Sequence, residues 1–224
     1  MAKQSWRRKL DLKIDEKMTS AGLLKFSGDY RSLYSADETI ALVNIMNRST
    51  SNRALIYAGI GIIDFRSNFL MSQLMPWKQE FYFSLSNYGE CPKELIFREQ
   101  VIPADASTEE IDEVLNKVLR MLTGQMLATI RVEYSTSLGI LRALFDQKDV
   151  NPELYCVCLV VNGRLQEALE FAFIYSKGRG AESASWQVFK PKFDQWFRNG
   201  AGVPSNTAAR KFLFDRVEQC GGSS

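Results

Sequence analysis

The sequence predicts a mainly α protein with a small antiparallel β element in its N-terminal half, arranged as two lobes. Three observations carry this. Residues 53–102 alternate apolar and polar positions and are rich in branched and aromatic side chains, the pattern of strands. From residue 105 the apolar period lengthens to that of a helix and stays there. At 224 residues, the chain is long enough to bury its own core without a metal or disulfide, as one large domain or two small lobes.

Residues 1–20 are charged, with Arg7, Arg8, Lys9, Lys13 and Lys17 interrupted by acids, and read as a mobile arm or a solvated helix. In "SADETIALVNIMNR", Ser35 or Asp37 can cap a helix carrying Ile40, Leu42, Val43, Ile45 and Met46 as far as Arg48. Strands follow. "RALIYAGIGIIDF" is one, with a bulge or close approach expected at Gly59 and Gly61. "KQEFYFSLSNYGE" is a second, with Phe81, Phe83 and Leu85 on one face. "KELIFREQVI" is a third, completing an antiparallel meander.

"STEEIDEVLNKVLRML" is the clearest element. Ser107 and Glu110 make a capping box, and Ile111, Val114, Leu115, Val118, Leu119 and Leu122 form one stripe. "NPELYCVCLVVNG" has helix punctuation in Asn151, Pro152 and Gly163, while its branched residues leave a strand open. "RLQEALEFAFIY" consists of strong helix formers. The loop "SKGRGAES" precedes two terminal helices, "SWQVFKPKFDQWFRN" and "SNTAARKFLFDRVEQ", the last capped by Ser205 or Asn206. The expected layout is an arm at 1–34, a mixed lobe at 35–123, a helical lobe at 124–198 and a second arm at 199–224.

Composition narrows function. With 28 Lys+Arg against 26 Asp+Glu, the net charge of +2 argues against a histone-like binder but leaves room for a local basic groove. There is no histidine, so the commonest general base and triad partner is missing. No phosphate-binding glycine loop occurs: the Gly59-x-Gly61 pair lacks a third glycine. The expectation is a protein that is not an enzyme and uses no cofactor. Cys91, Cys156, Cys158 and Cys220 lack zinc-ligand spacing and read as free thiols, the middle two inside the apolar run "LYCVCLVV". That run is too short to span a bilayer, so no stable membrane insertion is expected, and the opening residues lack the apolar core of a secretory signal. Asn47 heads an "NRS" acceptor triplet read as a loop.

Binding features are more numerous. Arg48 and Arg53 flank "RSTSNR", Lys78 follows Trp77, and Lys93 and Arg98 lie on the third strand. Lys177 and Arg179 sit in the glycine loop, and Lys190 and Lys192 flank Pro191 near Trp186, Phe189 and Trp196. Phosphates need cations and unpaired bases need flat side chains, so a cleft lined this way suits single-stranded nucleic acid. Solvated loops and core aromatics account for the same residues without a ligand.

Four stretches carry a resemblance. "W-x-x-x-F-x-F-x-L" (77–85), "LNKVLRMLTGQML" (115–127), "GAESASW" (180–186) and "SNTAARKFLFDRV" (205–217) together resemble the nucleoprotein of orthobunyaviruses and their insect-virus relatives. "NYGECPKELIF" stands where that family has an "FPGNRNNP" loop, and its "FFPG" segment is missing. The resemblance implies two helical lobes, a basic cleft for single-stranded genomic RNA, self-assembly through terminal arms, a viral polymerase as a further partner, and residence in the virion and host cytoplasm. It implies that Phe212, Leu213 and Val217 pack into a neighbouring copy; packing onto their own lobe is the alternative. Two other classes stay open: a viral matrix or structural assembly protein, and a movement protein or silencing suppressor.

Overall fold

The computed structural model describes residues 2–76, 83–84 and 100–221. The chain is mainly helical with a small antiparallel sheet in its N-terminal half. It divides into two compact units. The first comprises Met1–Ser35, Ala41–Ile62 and Ser84–Val132; the second comprises Ala36–Ile40, Ile63–Phe83 and Glu133–Ser224. The chain therefore passes between the units several times, unlike the sequential layout of lobes and arms expected from sequence.

The first unit opens with α1 (Ala2–Ser20). Leu10, Ile14 and Met18 recur every four residues and are buried, so α1 is a packed element, not a mobile arm. It stops at Gly22, whose φ of +77° few other residues adopt readily. There Leu23 N–H donates to the Met18 carbonyl and Gly22 N–H to that of Thr19, the Schellman closure. Two short strands follow, β1 (Leu24–Ser27) and β2 (Tyr30–Ser35), which sequence reading left unassigned.

Next come β3 (Thr39–Ser49) and β4 (Arg53–Asp64). The spacing of 35–48 predicts a helix; strand β3 stands there instead. The first seven residues of β3 are all buried, so no period-two alternation marks the strand. Branched Thr39, Ile40, Val43 and Ile45 favour extended backbone, and pairing with β2 and β4 satisfies both edges. Asn47 thus lies in a strand, not a loop. The β4 strand covers the expected stretch, Gly59 and Gly61 included. On β4 pair both β5 (Phe83–Ser84) and β6 (Gln100–Pro103). The rest of the two later expected strands lies outside the described residues.

Helix α3 (Thr108–Met121) has the expected capping box: Glu110 N–H donates to Ser107 Oγ (3.2 Å) and Ser107 N–H to Glu110 Oε2 (2.7 Å). Leu115, Val118, Leu119 and Leu122 are buried. Asp112 receives Lys13 and Lys17 of α1 at 3.1 and 3.3 Å. Partial desolvation pushes its carboxyl up, but the hydrogen bonds and charges of the two lysines outweigh that and hold the pKa below its usual value. Beyond α3 a wide turn at Leu122–Met126, with Gly124 outside helical geometry, leads to α4 (Leu127–Glu133).

The second unit is helical: α2 (Phe65–Leu74), α5 (Ser137–Phe145), α6 (Pro152–Val161), α7 (Leu165–Lys177), α8 (Ala184–Arg198) and α9 (Asn206–Gly221). Sequence reading missed α2. Helix α6 is buried along its whole length, because α2, α5, α7 and α8 all pack on it. That settles 151–162 as helix. Its Cys156 and Cys158 are free and fully buried, and burial pushes both thiols well up.

Asp64 caps α2, accepting from Ser67 N–H at 2.6 Å. Its second carboxylate oxygen is buried without a partner, and desolvation raises its pKa against the hydrogen bonds of Ser137 and Ser67.

Candidate nucleic-acid interface

The β3–β4 hairpin of the first unit turns at residues 50–52. Thr50 N–H donates to the Arg53 carbonyl (2.8 Å), and Thr50 Oγ1 accepts from the N–H groups of Asn52 and Arg53. Along β4, Ala54, Ile56, Ala58 and Ile60 are buried, while Arg53, Leu55 and Tyr57 alternate with them on a more open face. Strand β6 extends that face, since Arg53 pairs with Pro103 and Leu55 with Val101.

On this hairpin the Arg48 guanidinium lies 5.4 Å from the centre of the Tyr57 ring. Arg48 and Arg53 are exposed and form no ion pair among the described residues. Met46 and Val101 are about half exposed, at 47% and 49%. Two uncompensated guanidiniums, one aromatic ring and small apolar patches thus share one sheet surface. Such a surface can neutralise phosphates and stack a base without reading its sequence. Sequence reading chose Arg48 and Arg53 but missed Tyr57 and Met46. The alternation of 53–60 was the available signal for Tyr57; Met46 was hidden by the helical assignment of 35–48.

Lys78, Lys93 and Arg98 lie outside the described residues. In the second unit the Lys177 ammonium sits 4.0 Å over the Phe173 ring, at the end of α7. Arg179 pairs with Asp149 at 3.1 Å, and both are largely exposed, so water and salt screen the pair. Lys190 is held by Asp194 at 2.5 Å, one turn along α8. Lys192 is half-buried on the same helix.

The aromatics beside Lys190 and Lys192 belong to the core. Rings of Tyr155, Phe171, Tyr175, Trp186, Phe189, Phe193 and Trp196 follow one another at 4.7–6.1 Å between centres. Trp186, Phe189 and Phe193 are buried, and Trp186 Nε1–H donates to Ser176 Oγ (2.8 Å). They are no stacking platform. The last helix packs on α2: Phe212 meets Phe69 edge-on at 4.9 Å, Leu213 is buried and Val217 half-buried. The structure thus shows the within-chain packing of Phe212 and Leu213.

Among the described residues no group of three or more Cys, Asp or Glu side chains is placed to hold a metal ion, and no helix is long and apolar enough to cross a membrane. No family model, curated protein or solved structure matches the chain.

Proposed function

We propose that the chain is a nucleoprotein that encapsidates single-stranded viral genomic RNA and associates with copies of itself. The observation that carries the RNA-binding part is the Arg48–Tyr57 stack beside Arg53 at the exposed end of the β3–β4 hairpin, with neither arginine in an ion pair among the described residues. Arg48 and Arg53 neutralise backbone phosphates; Tyr57 and the guanidinium plane offer bases a flat partner. Both contacts ignore base identity, as a protein that coats a whole genome requires. Lys177 and Arg179, exposed at the end of α7, supply a second cationic patch. The encapsidating role, self-association, a polymerase partner and residence in virion and cytoplasm rest on the resemblance of residues 77–85, 115–127, 180–186 and 205–217.

The test is direct. The protein is purified at moderate salt, its 260/280 nm absorbance ratio is taken, and light scattering is run before and after RNase. A high ratio with RNA-bearing multimers of discrete size is expected. A clean protein ratio with a monomer overturns the proposal, and binding to anionic vesicles would then favour a matrix protein.

A further inference from the structure

The first unit holds a cleft of 460 Å³ between α1, the β1–β2 hairpin and β3. Its frame is internally paired. Arg31, only 7% exposed, donates to the Leu23 carbonyl (3.1 Å) and to Asp15, and the Asn47 amide donates to Asp11. Four other lining groups are left over. Arg7, Lys25 and Asp29 are exposed and make no ion pair or side-chain hydrogen bond among the described residues.

The fourth is Asn44. It sits in the middle of β3 between Val43 and Ile45, is 9% exposed, and its amide makes no hydrogen bond among the described residues. Nor are its amide atoms sealed among the buried polar atoms that lack both partner and solvent. The residue is about nine-tenths buried, yet its amide stays open to the cleft and has no protein partner among the described residues. An amide that still reaches a cleft is satisfied when something fills the cleft.

The unused groups define the occupant. Arg7 and Lys25 suit a phosphate. The Asn44 amide offers an adjacent donor and acceptor, the edge that matches adenine bidentately. Asp29 can accept from a ribose hydroxyl, as acidic residues do in nucleotide sites. Ile14, Met18 and Ile45 line the same space and give a base an aliphatic wall. Inorganic phosphate would use the cations alone, and an apolar ligand would leave the amide unsatisfied. The volume falls within the usual range for small-ligand sites.

We infer that this cleft binds one adenine nucleotide, with its phosphate on Arg7 and Lys25, its base edge on Asn44 and its ribose on Asp29. The nucleotide is either free or one unit of a bound strand; the second source rests on the RNA-binding proposal, whereas the chemistry of the cleft does not.

Titration calorimetry with AMP, adenosine and inorganic phosphate on the full chain is the test. AMP is expected to bind at least tenfold tighter than either fragment. Asn44→Leu should weaken AMP by about 5- to 100-fold, the range for one bidentate base contact. The double variant Arg7→Ala/Lys25→Ala alters two exposed side chains, so it keeps its fold. It should bind AMP no better than adenosine and leave adenosine unchanged. AMP binding no tighter than phosphate, or unaffected in both variants, overturns the inference. Oligo(A) and oligo(U) RNA, titrated in parallel, separate the two proposals. RNA binding without AMP binding rejects the cleft and keeps the hairpin. AMP binding without RNA binding does the reverse. A preference for oligo(A) that disappears in Asn44→Leu supports the strand as the source.

Discussion

Gly180 lies so close to Trp186 that a Cβ on the glycine would stand 2.7 Å from Trp186 Cδ1, and equally close to the Tyr175 carbonyl oxygen. The second glycine of "SKGRG" is therefore a packing residue. It is buried beneath the aromatic run of the second unit and presents no backbone to a phosphate. Lys177, Gly178 and Arg179 before it face solvent. Gly180→Ala should destabilise the protein by about 1–3 kcal/mol, because backbone and two rings must move to admit one methyl group. The loss is read by thermal unfolding, together with a changed near-ultraviolet circular dichroism signal from Trp186. An unchanged melting temperature would contradict this packing.

The hairpin makes a prediction in salt. Arg48→Ala/Arg53→Ala removes two cations that have no acidic partner. The slope of log affinity for single-stranded RNA against log salt should become shallower by about 1.4, from two lost phosphate contacts. Tyr57→Ala should lower affinity at every salt concentration and leave the slope alone. Fluorescence anisotropy with a labelled oligonucleotide checks both. Charge reversal of Lys177 and Arg179 should also weaken retention; normal retention there would remove the α7 end from the interface.

Asp64 sets a pH dependence. Its folded pKa is raised by burial, so over the interval above its ordinary value the native state holds a proton the unfolded chain has released. This carboxyl's contribution to stability is therefore present in acid and declines as pH rises through that interval. Asn also caps helices, so Asp64→Asn should keep α2 intact and remove this dependence. Denaturant unfolding of both forms from pH 4 to pH 7 is the measurement: the variant should gain relative to wild type as pH rises. A gap that narrows with pH would mean that the carboxylate is stabilised as an anion.

Leu213→Ala should cost about 2–4 kcal/mol, as for other fully packed leucines. Its readout also addresses assembly. If α9 packs only on its own α2, the melting temperature of wild type and variant will not depend on protein concentration. If copies exchange α9, stability will rise with concentration, because the helix–helix contact is then intermolecular.

The fold was legible in sequence where one signal dominated. In α3 the cap and the apolar stripe agree, and both are found. In α6 the punctuation, Pro152 at the start and Gly163 (φ +74°) past the end, points to a helix, while the branched residues leave a strand open from sequence. In β3 the signals conflicted. A strand buried on both faces has no alternation, and Asp37 upstream imitates a cap. Helix α2 was hidden because Asp64 and Ser67, a true cap pair, directly follow a strand without an intervening loop. The candidate interface was legible as residues but not as a place. Arg48 and Arg53 stand out by charge, yet their sharing a face with Tyr57 depends on β3 being a strand. The cleft was invisible, because α1 was read as solvated and Asn44 as one polar residue in a helix.

Helix α6 gives the protein an internal clock. Both thiols at its centre are sealed from water and held in the unreactive protonated form. In a Cys91→Ser/Cys220→Ser background, a thiol reagent can then reach sulfur only when the surrounding helices part. The labelling rate counts those openings directly, so a ligand, partner or substitution can be ranked by how long it keeps the second unit shut.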